Sequence, residues 1–264
     1  MAEENKNKTV VLSTTNNADY KFYIPYQEKA WNNLGWKVCI IITNDVDIST
    51  LNLPIKTNGI NKLETTIITL PDIPELRKET IAQAGRLYAA NYFPDDMLLM
   101  TCDMDLIPLA DYWHPGQDDI TVYGHDLTWR SFYPMGYIAM NVANWKKYMN
   151  LNGKIREEII RDAKEIEIAY MPDWNQWWNH DWTLITKRLK PFEKQITFID
   201  RGQIEIAGAT LAKGRIDRYN WEATQNQPEP FIDMHCENNN TQHPVKLEPF
   251  LKVFEKFYGK ILHH

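Results

Sequence analysis

Apolar residues in the first hundred positions fall in short solid blocks separated by longer stretches with helical spacing. Thr9-Val10-Val11-Leu12-Ser13 reads as a strand, followed by a polar turn over Thr14 to Asn17 and a helix-like stretch from Tyr23 to Leu34. Lys37 to Thr43 is a run of mostly β-branched residues, the pattern of a strand covered on both faces of a parallel sheet, and Asn44 and Asp45 close it. A shorter strand over Thr65 to Leu70 leads to a helix from about Pro74 to Asn91, with Pro74 suited to its first turn. Met97 to Cys102 is the next strand, entered from the turn Phe93-Pro94-Asp95-Asp96. This alternation predicts a doubly wound α/β fold, in which ligands sit beyond the carboxyl ends of the strands.

The second half mixes short strands with helices. Strands are expected at Ile120 to Tyr123, Gly136 to Met140 and Ile196 to Ile199, and helices at Val142 to Met149, Lys154 to Glu167 and Trp178 to Leu189. Loops rich in aromatics lie between them. A polar segment from Pro228 to Pro244 precedes an amphipathic helix from about Leu247 to Leu262. Neither a repeat nor a clear linker divides the 264 residues, so a single domain over 1–264 is expected, with ample length for a core.

Composition narrows the functional classes. With 44% hydrophobic and 24% charged residues, the chain is neither disordered nor fibrous. Apolar runs such as Val38 to Ile42 fall far short of the ~20 residues that span a bilayer. The start of the chain lacks a basic region leading into an apolar stretch, so no signal peptide is expected and the cytoplasm is the expected compartment. Cys39, Cys102 and Cys236 are odd in number and far apart, which argues against a disulfide framework. A net charge of -6 without a Lys/Arg block argues against nucleic acid as a partner. Ten Trp and thirteen Tyr supply flat amphipathic rings, suited to core packing and to stacking on sugars.

The most informative string is Leu98-Leu99-Met100-Thr101-Cys102-Asp103-Met104-Asp105. An apolar strand runs into two carboxylates one residue apart, which share a side if the extended geometry continues. Oxygen ligands of this kind suit Mg²⁺ or Mn²⁺, which take their remaining ligands from water and phosphate.

With this Asp-x-Asp after a central strand, a Rossmann-like first half and a mixed second half, the chain resembles the GT-A nucleotide-sugar-dependent glycosyltransferases. The resemblance implies a nucleotide-sugar-binding half over about 1–110 and an acceptor-binding half, ending in the C-terminal helix, over about 111–264. In that family the first Asp touches ribose or metal and the second binds the cation bridging the donor diphosphate, roles that fall on Asp103 and Asp105 with Met104 between them. Ser13-Thr14-Thr15 lies where the family cradles the nucleotide, Asp45 where an acidic residue meets base or ribose, and Arg86 where a basic residue approaches the nucleotide. Gly136 corresponds to a glycine-bearing strand beneath the donor sugar. His235 matches a late histidine that completes the metal shell, with His243 and Asp233 as other claimants, and an imidazole beside carboxylates favours Mn²⁺ over Mg²⁺.

The segment from Trp174 to Trp182 is the expected acceptor region. On a helix, Trp174, Trp178, Trp182 and Asp181 share one sector, so a carboxylate sits on an aromatic face, unless Asp181 simply caps the helix. Asp181 is the candidate base for an acceptor hydroxyl, His180 a possible assistant, and Trp177, Trp178 and Trp182 the sugar platforms. Arg201 lies in position to reach either substrate.

The resulting expectation is a metal-dependent glycosyltransferase, hexosyl or pentosyl, that carries a monosaccharide from a nucleoside diphosphate sugar to a glycan hydroxyl. UDP is the family's commonest donor nucleotide, and inversion at Asp181 is favoured over retention. Two alternatives stand beside it. One is a metal-dependent phosphatase or phosphotransferase with Asp103 as nucleophile, although its motif would lie late in the chain and Ile107 occupies the place of a small Thr or Val. The other is a carbohydrate-binding protein without turnover.

Overall fold

The computed structural model describes residues 7–48, 51, 65–116, 120–127, 132–167, 180–206, 208–218, 221–226, 230–236 and 244–260. The chain begins with β1 (Lys8–Thr14), α1 (Ala18–Lys21), α2 (Ile24–Asn33), β2 (Lys37–Ile42), β3 (Thr65–Thr69), α3 (Lys78–Tyr88) and β4 (Leu98–Thr101). It continues through β5 (Leu106–Pro108), β6 (Ile120–Tyr123), β7 (Ile138–Asn141), α4 (Val142–Met149), α5 (Ile155–Glu167) and α6 (His180–Leu189). The last elements are β8 (Ile196–Ile199), β9 (Gln203–Ile206), β10 (Ala209–Ala212), β11 (Arg215–Asp217), α7 (Trp221–Thr224), β12 (Asp233–His235) and α8 (Pro244–Tyr258).

Seven strands form the central sheet in the order β3-β2-β1-β4-β7-β6-β8. Only β7 runs antiparallel to its neighbours, so the sheet is mostly parallel. Side-chain alternation along β2 explains its unbroken apolar sequence. Val38, Ile40 and Ile42 pack with Tyr23, Trp31 and the α8 rings Phe250 and Phe254 on one face. Cys39 and Ile41 pack with Leu87, Trp145 and Leu184 from α3, α4 and α6 on the other. Much of the tryptophan stock lies here: Trp31, Trp36, Trp113 and Trp145 are fully buried, and each removes on the order of 150–250 Å² from water.

A second sheet positions the site. In the order β11-β12-β5, β12 is parallel to β11 and antiparallel to β5, with His235 opposite Leu106 and Asp233 opposite Pro108. These three-residue strands are absent from the sequence expectation. Pairing continues where Cys236 N–H donates to the Asp105 carbonyl at 2.8 Å, tying the late histidine segment to the end of β4.

Several boundaries differ from those expected. The Tyr23–Leu34 stretch is the longer of two helices, and α1 precedes it, capped where the Asn17 side chain accepts from Asp19 N–H. The helix expected from Pro74 starts at Lys78, because Leu76 closes a turn onto Ile73 and Arg77 is extended (φ -70°, ψ 144°). It also ends at Tyr88, and a 3₁₀ turn carries the chain to Tyr92. The strand expected over Gly136 to Met140 forms at Ile138–Asn141. The C-terminal helix begins earlier, at Pro244, and stops at Tyr258, where Gly259 at φ 69° takes up the left-handed conformation and donates back to the Glu255 carbonyl. Cys39, Cys102 and Cys236 are buried free thiols. Among the described residues no helix is long and apolar enough to cross a membrane.

Candidate active site

Strand order reverses between β1 and β4, since β1 continues to β2 on one side while β4 lies on the other. Crevices outside the carboxyl ends of strands at such a switch point are where doubly wound sheets take ligands. A cleft of about 400 Å³ opens there, lined by Ser13, Thr14 and Thr15 after β1 and by Asp103, Met104 and Asp105 after β4. Arg86, Gly136, Asp181, Trp182 and His235 also line it. Most of the expected site residues therefore meet in one cavity.

Their local geometry corrects one expectation. Asp103 to Asp105 do not continue the strand: Leu106 N–H donates to the Asp103 carbonyl at 3.1 Å, closing a tight turn. Gln27 of α2, fully buried, holds that turn from below. Its Nε2 donates to the carbonyls of Met104 and Leu106, both at 2.9 Å, while its Oε1 accepts from Trp31 Nε1 at 3.0 Å. The two carboxylates consequently differ in surroundings. The Asp103 side chain is 31% exposed and pairs with Arg86, whereas that of Asp105 is 9% exposed and pairs with Arg218 at 2.8 Å.

Asp105 also faces His235, with Oδ2 3.7 Å from Nε2. The other ring nitrogen, Nδ1, lies 3.3 Å from Asp217 Oδ2. Burial opposes ionisation of Asp105, but the hydrogen bond and charge of His235 and the charge of Arg218 hold its carboxyl below the ordinary carboxylate range. Burial would lower His235, but the neighbouring carboxylates Asp105 and Asp217 outweigh it and raise the imidazole.

A carboxylate behind the far nitrogen of a histidine is the usual support for a metal-ligating imidazole, because it fixes which nitrogen faces the ion. Asp217 gives His235 that support, and the hard oxygen donor Asp105 lies in front. The donor set thus fits Mn²⁺ or Mg²⁺, which would be bound by the unprotonated imidazole and carboxylate. Among the described residues no three such groups converge into a ready-made metal cage, so further ligands would come from bound phosphate or water.

Arg86 stands at the centre of the other half of the cleft. Its guanidinium donates to Asp103 and, at 2.6 Å, to Asp181 Oδ2. Asp181 occupies the first turn of α6, and its Oδ1 accepts from Trp182 N–H at 2.8 Å. Burial drives the Asp181 carboxyl up to about 6, against the pull of Arg86 and with help from the Asp103 charge. At neutral pH it is ionised yet close to its midpoint, the condition that suits a proton acceptor.

Two expected residues lie elsewhere. Asp45 is not in the cleft; it accepts from the Thr43 hydroxyl and pairs with Lys78 at 3.3 Å, which accounts for it as a loop carboxylate. His180 precedes Asp181 by one residue, so on the helix it points about 100° away. It is buried among core residues rather than lining the cleft, and burial lowers its imidazole to about 4. His180 is therefore neutral at physiological pH. Trp174, Trp177, Trp178 and His243 lie outside the described residues.

Three arginines in the cleft complete it. Arg201 follows β8, Arg215 opens β11 and Arg218 follows it. Arg215 and Arg218 are not among the site residues expected from the sequence, although Arg215-Ile216-Asp217 alternates charged and apolar residues after Gly214 and Arg218 follows directly.

No family model matches the sequence, and no curated protein matches it. Solved structures similar in fold include two glycosyltransferases. One is the galactosyltransferase LgtC in complex with donor and acceptor sugar analogues, with a TM-score of 0.51 and 10% identity over 96% of this chain and 97% of that one. The other is the apo-form glycosyltransferase GlyE of Streptococcus pneumoniae TIGR4, also at 0.51, with 14% identity over 96% of this chain. The chain spans 63% of the GlyE chain. The fold is GT-A. At these identities the likeness concerns the fold, and the chemistry rests on the cleft's own residues.

Proposed function

We propose that this protein is a metal-dependent glycosyltransferase that moves a monosaccharide, a hexose or a pentose, from a nucleoside diphosphate sugar to a hydroxyl of a glycan acceptor. One observation carries the reading: Asp105 and His235, backed by Asp217, and the Asp103–Arg86–Asp181 array face one cleft at the switch point of a GT-A fold.

In this reading Ser13, Thr14 and Thr15 receive the nucleotide, with UDP the first candidate. Asp105 and His235, with Asp103 beside them, would hold Mn²⁺ or Mg²⁺, which supplies positive charge to the leaving diphosphate. Arg218 offers a fixed cation to the same charge as it develops. Gly136, where an added Cβ would lie 3.0 Å from Leu106 Cδ1 and 3.7 Å from Asp103 Oδ2, leaves the floor low beside the first carboxylate for the donor sugar. Asp181 accepts the proton of the attacking hydroxyl, and Arg86 holds its carboxylate in place. With Asp181 opposite the leaving group, one displacement inverts the anomeric carbon. Trp182, at the cleft wall, stacks on the acceptor, with Trp177 and Trp178 assigned to the same role.

The experiment is a panel of UDP- and GDP-sugars with Mn²⁺ or Mg²⁺, scored by release of the nucleoside diphosphate, on wild type and Asp181→Asn. Release from one donor, falling at least a hundredfold in the variant, is expected. If no donor turns over and p-nitrophenyl phosphate is cleaved instead, phosphoester chemistry replaces this reading.

A further inference from the structure

Beyond the metal end, two buried arginines of the cleft meet on one carboxylate. Asp233 on β12 is fully buried and takes two guanidinium groups at once: Arg215 through Nε and Nη2 at 2.9 and 2.8 Å, and Arg201 through Nη1 at 2.7 Å. Tyr137 adds its hydroxyl at 3.2 Å. Burial would raise the Asp233 carboxyl, but Arg201 and Arg215 hold it far below the ordinary range. Two cations thus share one anion. Asp217 on β11 lies against His235 and its charge also acts on Arg215, and Asp126 accepts from the backbone N–H groups of Arg201 and Gly202.

Among the described residues, two buried nitrogen donors at this end also lack partners. Arg201, with a side chain 3% exposed, bonds through Nη1 and Nε, the latter to the Lys213 carbonyl, whereas its Nη2 has none. The indole Nε1 of Trp113 has none either, and both residues line the cleft. Buried donors without partners are costly in an apolar wall, and an acceptor-only anion would satisfy them. The wall itself is aromatic, with Tyr112, Trp113 and Tyr137 around the arginines.

Sheet order says which substrate this end serves. Arg201 follows β8, four strands from β1 across the sheet, on the order of 19 Å at ~4.8 Å per strand. That sets the Arg201 backbone well away from the nucleotide turn Ser13–Thr15, while its guanidinium reaches in to Asp233. Along β12, Asp233 sits two residues from His235 on the same face, so the arginine pair is one step beyond the metal position, away from Asp105.

We infer that this end of the cleft is a subsite for an anionic sugar of the acceptor, its carboxylate or phosphate seated on Arg201 and Arg215 and its ring against Tyr112 and Trp113. The inference rests on the glycosyl-transfer reading and gives its acceptor a chemical class. Two sources of the anion, a uronic acid and a sugar phosphate, share this chemistry.

The test uses ligand-observed saturation-transfer NMR on the full chain with Mg²⁺ and saturating UDP. The probes are methyl β-D-glucuronide, glucose 6-phosphate and methyl β-D-glucoside. Binding of one charged sugar at least tenfold tighter than the neutral glucoside is expected, and which one identifies the anion. Arg201→Gln, in which Arg215 still pairs with Asp233, should erase that preference in the folded variant with UDP affinity unchanged. If the variant does not fold, Trp113→Phe should weaken the charged sugar severalfold. Equal affinity for charged and neutral sugars, or a preference that survives both substitutions, would overturn the inference while UDP binding leaves the donor site standing. A tenfold loss of UDP affinity in Arg201→Gln would also overturn it, assigning the arginine to the diphosphate. No UDP binding to wild type would remove the glycosyl-transfer reading itself, and the inference with it.

Discussion

Arg86 Nη2 lies 2.6 Å from Asp181 Oδ2, joining the last turn of α3 to the first turn of α6 across 95 residues of sequence, and both side chains are almost completely buried. The same guanidinium holds Asp103, so two carboxylates of different roles share one cation. Removing that cation leaves two adjacent negative charges, one of them deep in protein. Arg86→Met is expected to destabilise the fold by about 3–5 kcal/mol, measured by urea unfolding at pH 7. A change below about 1 kcal/mol would mean that the pair is not formed in solution.

Asp181 makes stability depend on pH in a defined direction. Its folded-state midpoint of about 6 lies above the ordinary 3.8, so between those values the folded chain keeps a proton that the unfolded chain has released. The contribution is therefore full below about pH 4 and is lost as pH rises through 6. Relative to Asp181→Asn, wild type should lose stability between pH 4 and pH 7. Paired urea titrations across that range check this, and a constant difference would contradict it. Transfer activity should move the opposite way, rising through pH 6 as the carboxylate becomes able to take a proton.

Gln27 is expected to matter to the site without touching a substrate. Replacing it by Leu keeps the volume but leaves the Met104 and Leu106 carbonyls without their donor, at a cost of about 2–5 kcal/mol. Because those carbonyls belong to the Asp103–Asp105 turn, UDP affinity in the presence of Mn²⁺ should fall with stability. A variant that loses stability alone would show that the turn is held by other contacts.

Gly85 sets how closely α3 approaches the sheet. A Cβ there would lie 2.7 Å from Leu70 Cδ1 and 2.8 Å from Ile41 Cγ2, so Gly85→Ala must push the helix outward. The expected cost is about 1–3 kcal/mol, despite the better helix propensity of alanine. Since Arg86 is the next residue, activity should drop as well. A neutral or stabilising effect in thermal unfolding would contradict the packing.

The strands and helices of the first half were legible because their apolar blocks are long and pure, as in Val38 to Ile42. The small sheet was not, because β11 and β12 are three residues long and place charged side chains, Arg215 and Asp217 or Asp233 and His235, at alternate positions. The Asp-x-Asp could be found by its types and its place after β4. Its turn could not, since the residue that holds it, Gln27, lies 77 positions from Met104. Asp181 as base and His180 as its assistant are both read from their types; one step of helix sends His180 into the buried interior and Asp181 into the cleft. Asp45 carried a resemblance only, and Lys78 and Thr43 account for it locally.

The most direct measurement is a calorimetric titration of UDP and GDP with and without Mn²⁺, on wild type and on Asp105→Ala. The account predicts that one nucleotide binds, that binding requires the ion, and that the substitution abolishes it while the melting transition persists. Binding of neither nucleotide to the folded wild-type protein, or equal binding with and without Mn²⁺ in both proteins, would contradict the assignment of this cleft to a metal-bridged nucleoside diphosphate.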